Sequence, residues 1–84
     1  MNQIELASRW AAAPIGYRKA ASLFCDGPTI YSYSRDFPLA QIIDSENAVV
    51  TDRLCPSVTT KRHLNLVRRV LEHASYVVTA EPLC

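Results

Sequence analysis

The stretch from Ser57 to Ala74 constrains this chain more than any other, because its spacing suits only one kind of local structure. Leu64, Val67, Leu71 and Ala74 recur at three- and four-residue steps, with Leu66 and Val70 beside them, so they form one apolar stripe at the helical period. Lys61, Arg62, Asn65, Arg68, Arg69 and Glu72 fall on the opposite side. Ser57, Thr59 and Thr60 are all competent N-caps, and Thr59 or Thr60 matches the onset of the stripe best. A helix with one apolar face has to bury it, and the rest of the chain must supply the surface.

That surface reads as short strands. Thr29, Ile30, Tyr31, Ser32 and Tyr33 are rich in β-branched and aromatic types, and Asp26-Gly27 before them is turn chemistry. A hairpin is expected, with 17–24 paired to 29–33 and 25–28 as its loop. Ser34, Arg35 and Asp36 make a polar break. A strand over 37–43 follows, with Pro38 at its start, where a missing N–H does least harm. The turn 44–47 leads to a strand over 48–52, and 76–79 is the last strand after the helix. At the front, apolar steps at Ile4, Ala7 and Ala11 and at Leu6, Trp10 and Ala13 give a short helix or a docked arm, ended by Pro14 and Gly16 and anchored by Trp10. The fold class is therefore α+β: a small antiparallel sheet of four to five short strands, one main helix on one face, and a short N-terminal helix. The 84 residues make a single domain, with 1–14 as the helix or arm and 15–80 as the core.

A domain this small has a modest core, so a homodimer is an open option for adding burial. No apolar run approaches the roughly 20 residues of a membrane span. Glu5 precedes any apolar stretch and there is no basic leader, so the expected setting is the cytoplasm, with no membrane partner. The net charge of +1 excludes a wholly basic nucleic-acid binder, but charge is segregated along the chain. Between residues 36 and 52 stand Asp36, Asp44, Glu46 and Asp52 with no Lys or Arg. Between 53 and 71 stand Arg53, Lys61, Arg62, Arg68 and Arg69 with no acid. Three cysteines, Cys25, Cys55 and Cys84, do not suggest a disulfide framework. Together with His63 and His73 they lack the close paired spacing of a zinc site, so neither metal nor other cofactor is expected.

The candidate binding site is the first turn of the 57–74 helix and the basic face that continues from it. Helix N-termini carry partial positive charge and favour acids, yet here Lys61 and Arg62 stand in that turn. A local rule broken in this way points to an anion or an acidic partner held by Thr59, Thr60, Lys61, Arg62 and His63, with Arg68 and Arg69 further along. The competing reading leaves the basic side chains in solvent or paired to the acidic 36–52 segment. His63 has its own alternative, bordering the apolar face against a strand. Tyr31, Tyr33 and Phe37, with Arg35 between them, resemble the aromatic platforms on which bases stack, although alternation places Tyr31 and Tyr33 on one face and a core role is favoured. Ser57 and His63 lack the geometry of a nucleophile and base, and there is no glycine-rich phosphate loop, so catalysis is not expected.

Two segments carry a resemblance. Ile30-Tyr31-Ser32-Tyr33-Ser34-Arg35-Asp36-Phe37-Pro38-Leu39-Ala40 and Ser57-Val58-Thr59-Thr60-Lys61-Arg62-His63 are similar to a small domain of unknown function from phage and other mobile-element proteins. That domain has Tyr-Ser-Tyr-Gly leading to Phe-Pro, then Ser-Val-Thr-Thr ahead of a Lys-His pair. The resemblance spans about 15–80. Ser34 stands where the pattern has Gly, Arg62 where it has Lys, and Asp36 where it tends to have His. The resemblance implies a viral or prophage origin, with Thr59, Thr60, Arg62 and His63 as matched helix positions. A non-enzymatic protein acting on a host protein or nucleoprotein complex is then expected, in its specific form an inhibitor of a host defence complex of the anti-CRISPR kind. The alternative is a small nucleic-acid-binding or regulatory protein using the basic helix face on phosphates.

Overall fold

A computed structural model describes residues 2–52 and 57–81. The elements run α1 (Gln3–Ala12), β1 (Tyr17–Ala20), β2 (Leu23–Asp26), β3 (Thr29–Ser32), β4 (Pro38–Ile42), β5 (Asn47–Thr51), α2 (Val58–His73) and β6 (Val77–Glu81). The six strands form one sheet in chain order, β1 to β5 antiparallel and β6 parallel to β5. The fold is α+β, with α1 confirmed as a helix rather than an arm. The sheet has six strands where the sequence suggests four to five, and it is not wholly antiparallel as expected, because a helix, not a hairpin, joins β5 to β6.

Both helices cover the same face. Leu6, Trp10 and Ala11 of α1, Val67 and Leu71 of α2, and Leu23, Cys25, Ile30, Ala40, Ala48 and Val50 of the sheet belong to one buried cluster. The helix α1 lies over β1 and β2, and α2 lies over β4, β5 and β6. Leu39 is also buried because the β3–β4 register slips by one residue: Ile30 pairs with Ala40 but Tyr31 with Pro38. Among the described residues no helix is long and apolar enough to cross a membrane.

The expected hairpin of 17–24 with 29–33 is corrected. Residues 17–26 are themselves a hairpin, β1–β2, whose two-residue turn is Ala21-Ser22. Nothing in those two residue types announces a tight turn, yet Ala21 adopts φ +55. The turn expected at Asp26-Gly27 is present but sits one residue later, at Gly27-Pro28, since Asp26 ends β2; Gly27 has φ +62 and the proline ring holds the next φ negative.

The end of α2 is a Schellman motif built on a residue poorly suited to it. The Ser75 N–H donates to Glu72 O at 3.1 Å, the Tyr76 N–H to Leu71 O at 3.0 Å, and Ser75 takes φ +67. A side chain at that φ is strained and Ser75 is exposed, so Ser75→Gly should stabilise the fold by about 1 kcal/mol, or about 4–8 °C in Tm. Ala74→Gly, one residue earlier at φ −82, relieves nothing and should lower Tm, a contrast that thermal melts would read directly.

Candidate functional site

The N-cap of α2 is Ser57 rather than Thr59 or Thr60. Its backbone is extended, at φ −146 and ψ 162, and its Oγ accepts from the Thr60 N–H at 3.2 Å. The apolar stripe starts later than the helix because the first turn needs only a cap. Thr60 and His63 stand seven and four residues before Val67, so they continue the buried side of the helix, where they are 1% and 2% exposed, while Thr59, Lys61 and Arg62 lie outside. The expected anion site is thus divided: the side chains of Thr60 and His63 are withdrawn from any partner.

They form instead a buried polar network that joins α1, α2 and β3. His63 Nδ1 lies 2.8 Å from Ser32 Oγ on β3, and His63 Nε2 lies 3.0 Å from the Gln3 amide nitrogen on α1. Ser32 Oγ donates to Thr60 Oγ1 at 3.4 Å, and Ser57 Oγ donates to the same oxygen at 3.0 Å. One proton arrangement satisfies all of it. Gln3 donates to Nε2, so the neutral ring carries its proton on Nδ1 and donates to Ser32. Burial pushes the His63 pKa down, which favours the same neutral form. A hydroxyl at 2.8 Å from an imidazole is nucleophile-and-base spacing. However, Ser32 is 1% exposed, and the far ring nitrogen faces an amide rather than an orienting carboxylate.

Of the aromatic set, only Phe37 joins the core. Tyr31 pairs across the sheet with Phe24 on the face away from the helices, and their rings stack at 5.0 Å. Arg35 lies over both rings, 5.9 Å from Phe24 and 5.6 Å from Tyr31, held there by Asp26 at 2.7 Å. That ion pair pushes the Arg35 pKa further up. The guanidinium thus occupies the outer side of the ring pair in this arrangement. Tyr33 leaves the alternation altogether: at φ +67 it is exposed and its ring comes 6.2 Å from His63.

The outward face of α2 is cationic. Lys61, Arg62, Arg68 and Arg69 are all exposed, and none pairs with an acid among the described residues. The acidic 36–52 segment does not neutralise them; Asp44, for example, is bound to its own turn, accepting from the N–H groups of Glu46 and Asn47 at 2.8 and 2.9 Å. Those bonds, Glu46 first, hold its carboxyl below the usual range. At the helical period Arg62 and Arg69 share the edge nearest α1, while Lys61 and Arg68 share the other flank. Along the α1 edge runs a groove of about 720 Å³, with Ile4, Ala11 and Ala12 of α1 on one wall and Leu66 and Val70 of α2 on the other. Arg62, Arg69 and His73 border it, and no acid lines it. Tyr76 donates to Ala11 O at 2.8 Å, tying α1 to the segment that follows α2.

Cys25 is buried, and burial pushes its thiol pKa up. Cys55, Cys84 and Arg53 lie outside the described residues. No three His, Cys, Asp or Glu side chains come together among the described residues in a way that could hold a metal. Gln3 and Ser32 in the network, and the α1 wall of the groove, were not evident from the sequence. The only signal for the wall is the exposed set Ile4, Ser8 and Ala12, which has helical spacing but lies beside the buried stripe. No family model, no curated protein and no solved structure matches the chain.

Proposed function

We propose that this chain is a non-enzymatic protein-binding module that presents the outward face of α2 to an acidic protein partner. One observation carries the reading: of four exposed cations without described acidic partners, two, Arg62 and Arg69, border an apolar surface on the same helix. Cations alone would suit phosphates, but apolar surface beside them suits a protein. The burial of Ser32 and His63 supports a role without catalysis, since their polar atoms are occupied in joining α1, α2 and β3. The resemblance to a phage domain supplies the setting, inhibition of a host defence complex in the manner of an anti-CRISPR.

A photo-crosslinking residue at Asn65, exposed between the two cationic rows, is expected to give a covalent adduct with a host protein. Lys61→Glu with Arg68→Glu should abolish that adduct while leaving the melting temperature within a few degrees, as exposed substitutions do. The same four cations favour a second reading, binding of nucleic acid. A mobility shift at low salt that weakens steeply as salt rises, without any protein adduct, would replace the first reading with the second.

A further inference from the structure

We infer that the groove between α1 and α2 receives an amphipathic helix carrying carboxylates about seven residues apart. The inference rests on the protein-binding reading and specifies the partner's chemistry. The α1 wall is built of small side chains, Ser8, Ala11 and Ala12, so it offers holes rather than knobs, and the large apolar side chains must come from the occupant. Ile4 is 62% exposed at the groove's edge, and Leu66 and Val70 are only partly buried, which leaves apolar surface to be covered. The stretch from Ile4 to Ala12 is about 12 Å long, enough for two to three turns of a third helix lying in the trough.

Charge decides which helix. Arg62 and Arg69 stand on one edge of the groove, two turns or about 10.5 Å apart, with His73 beyond them. A partner helix alongside would meet both guanidinium groups with acids at i and i+7, each able to accept a paired hydrogen bond. A second copy of this chain does not supply that pattern. Its α1 has one acid, Glu5, already paired with Arg9 at 2.9 Å, and the face of its α2 is basic. The occupant is therefore a different, acidic chain.

The test uses a fluorescein-labelled peptide of about 12 residues with a leucine stripe and two glutamates seven apart, beside a twin with lysines in their place. The acidic peptide is expected to bind, to shift the methyl resonances of Ile4, Leu66 and Val70, and to lose about tenfold or more in affinity to Arg62→Glu with Arg69→Glu. The lysine twin should bind only that charge-reversed protein. Ala12→Trp, at an exposed position that the fold tolerates, fills the trough and should block both. Equal binding of the two peptides to the natural chain would overturn the inference. So would an acidic peptide that leaves those methyls unmoved, or one indifferent to Ala12→Trp. Decanoate moving the same methyls where the peptide does not would assign the groove to a lipid carboxylate instead. If the groove fails while the Asn65 adduct persists, the module binds protein by its other cationic flank. If both fail, the protein-binding reading itself falls.

Discussion

Trp10→Ala should destabilise the domain by about 3–5 kcal/mol, the largest single effect expected in this chain. The indole is fully buried in the cluster that joins α1 to the sheet and to α2. Removing it leaves a cavity beneath a ten-residue helix that has few other large anchors, Leu6 being the main one. Small domains hold a net stability of about 5–15 kcal/mol, so the loss is a large fraction of the whole. A urea titration would show it as a lower midpoint. Trp10→Phe separates packing from polarity. The Trp10 N–H finds no acceptor among the described residues, and a buried unpaired donor costs about 1–3 kcal/mol. Phenylalanine removes that donor while filling most of the space, so it should cost far less than alanine. Equal midpoints for the two variants would mean that α1 is not held by this ring.

His63→Ala comes next, at about 2–4 kcal/mol, because it opens a cavity and strips a partner from both Ser32 and Gln3. The same side chain links stability to pH, with a definite sign. Its native pKa lies below 6.5, its ordinary value, because burial disfavours the cation. Below about pH 6.5 the unfolded chain takes up a proton that the native ring refuses, so stability falls as pH falls toward the native pKa. The slope approaches but does not exceed about 1.36 kcal/mol per pH unit from this one group. Urea midpoints measured from pH 7.5 to 5 should decline for the natural chain and flatten in that interval for His63→Gln, which does not titrate. An unchanged slope in His63→Gln would assign the pH dependence elsewhere.

Much of the outline was legible without coordinates, and for particular reasons. The α2 stripe at Leu64, Val67 and Leu71 repeats often enough that no other local structure fits it. The 25–28 loop, flagged by Asp26-Gly27, and the 44–47 turn carry chemistry that turns favour, and the chain reverses at both. The β1–β2 hairpin was hidden because Ala21 does the work of a glycine, a choice that costs energy and leaves no trace in residue type. The parallel pairing of β6 was hidden because pairing direction depends on the path of the helix between two strands, not on their composition.

The candidate site divides along the same line. By itself the sequence determined that a basic helical face exists, since periodicity and charge are properties of order along the chain. Arg62, Arg68, Arg69 and Lys61 are exposed where it put them. Only the tertiary structure decided that the polar atoms of Thr60 and His63 serve the interior, because Ser32 and Gln3 supply their partners from 28 and more residues away. It also created the groove, which belongs to neither helix alone. A stripe of small residues on α1 becomes a receptive surface only when a second helix is laid beside it, and that placement is fixed by Trp10 and Tyr76 across the whole length of the chain.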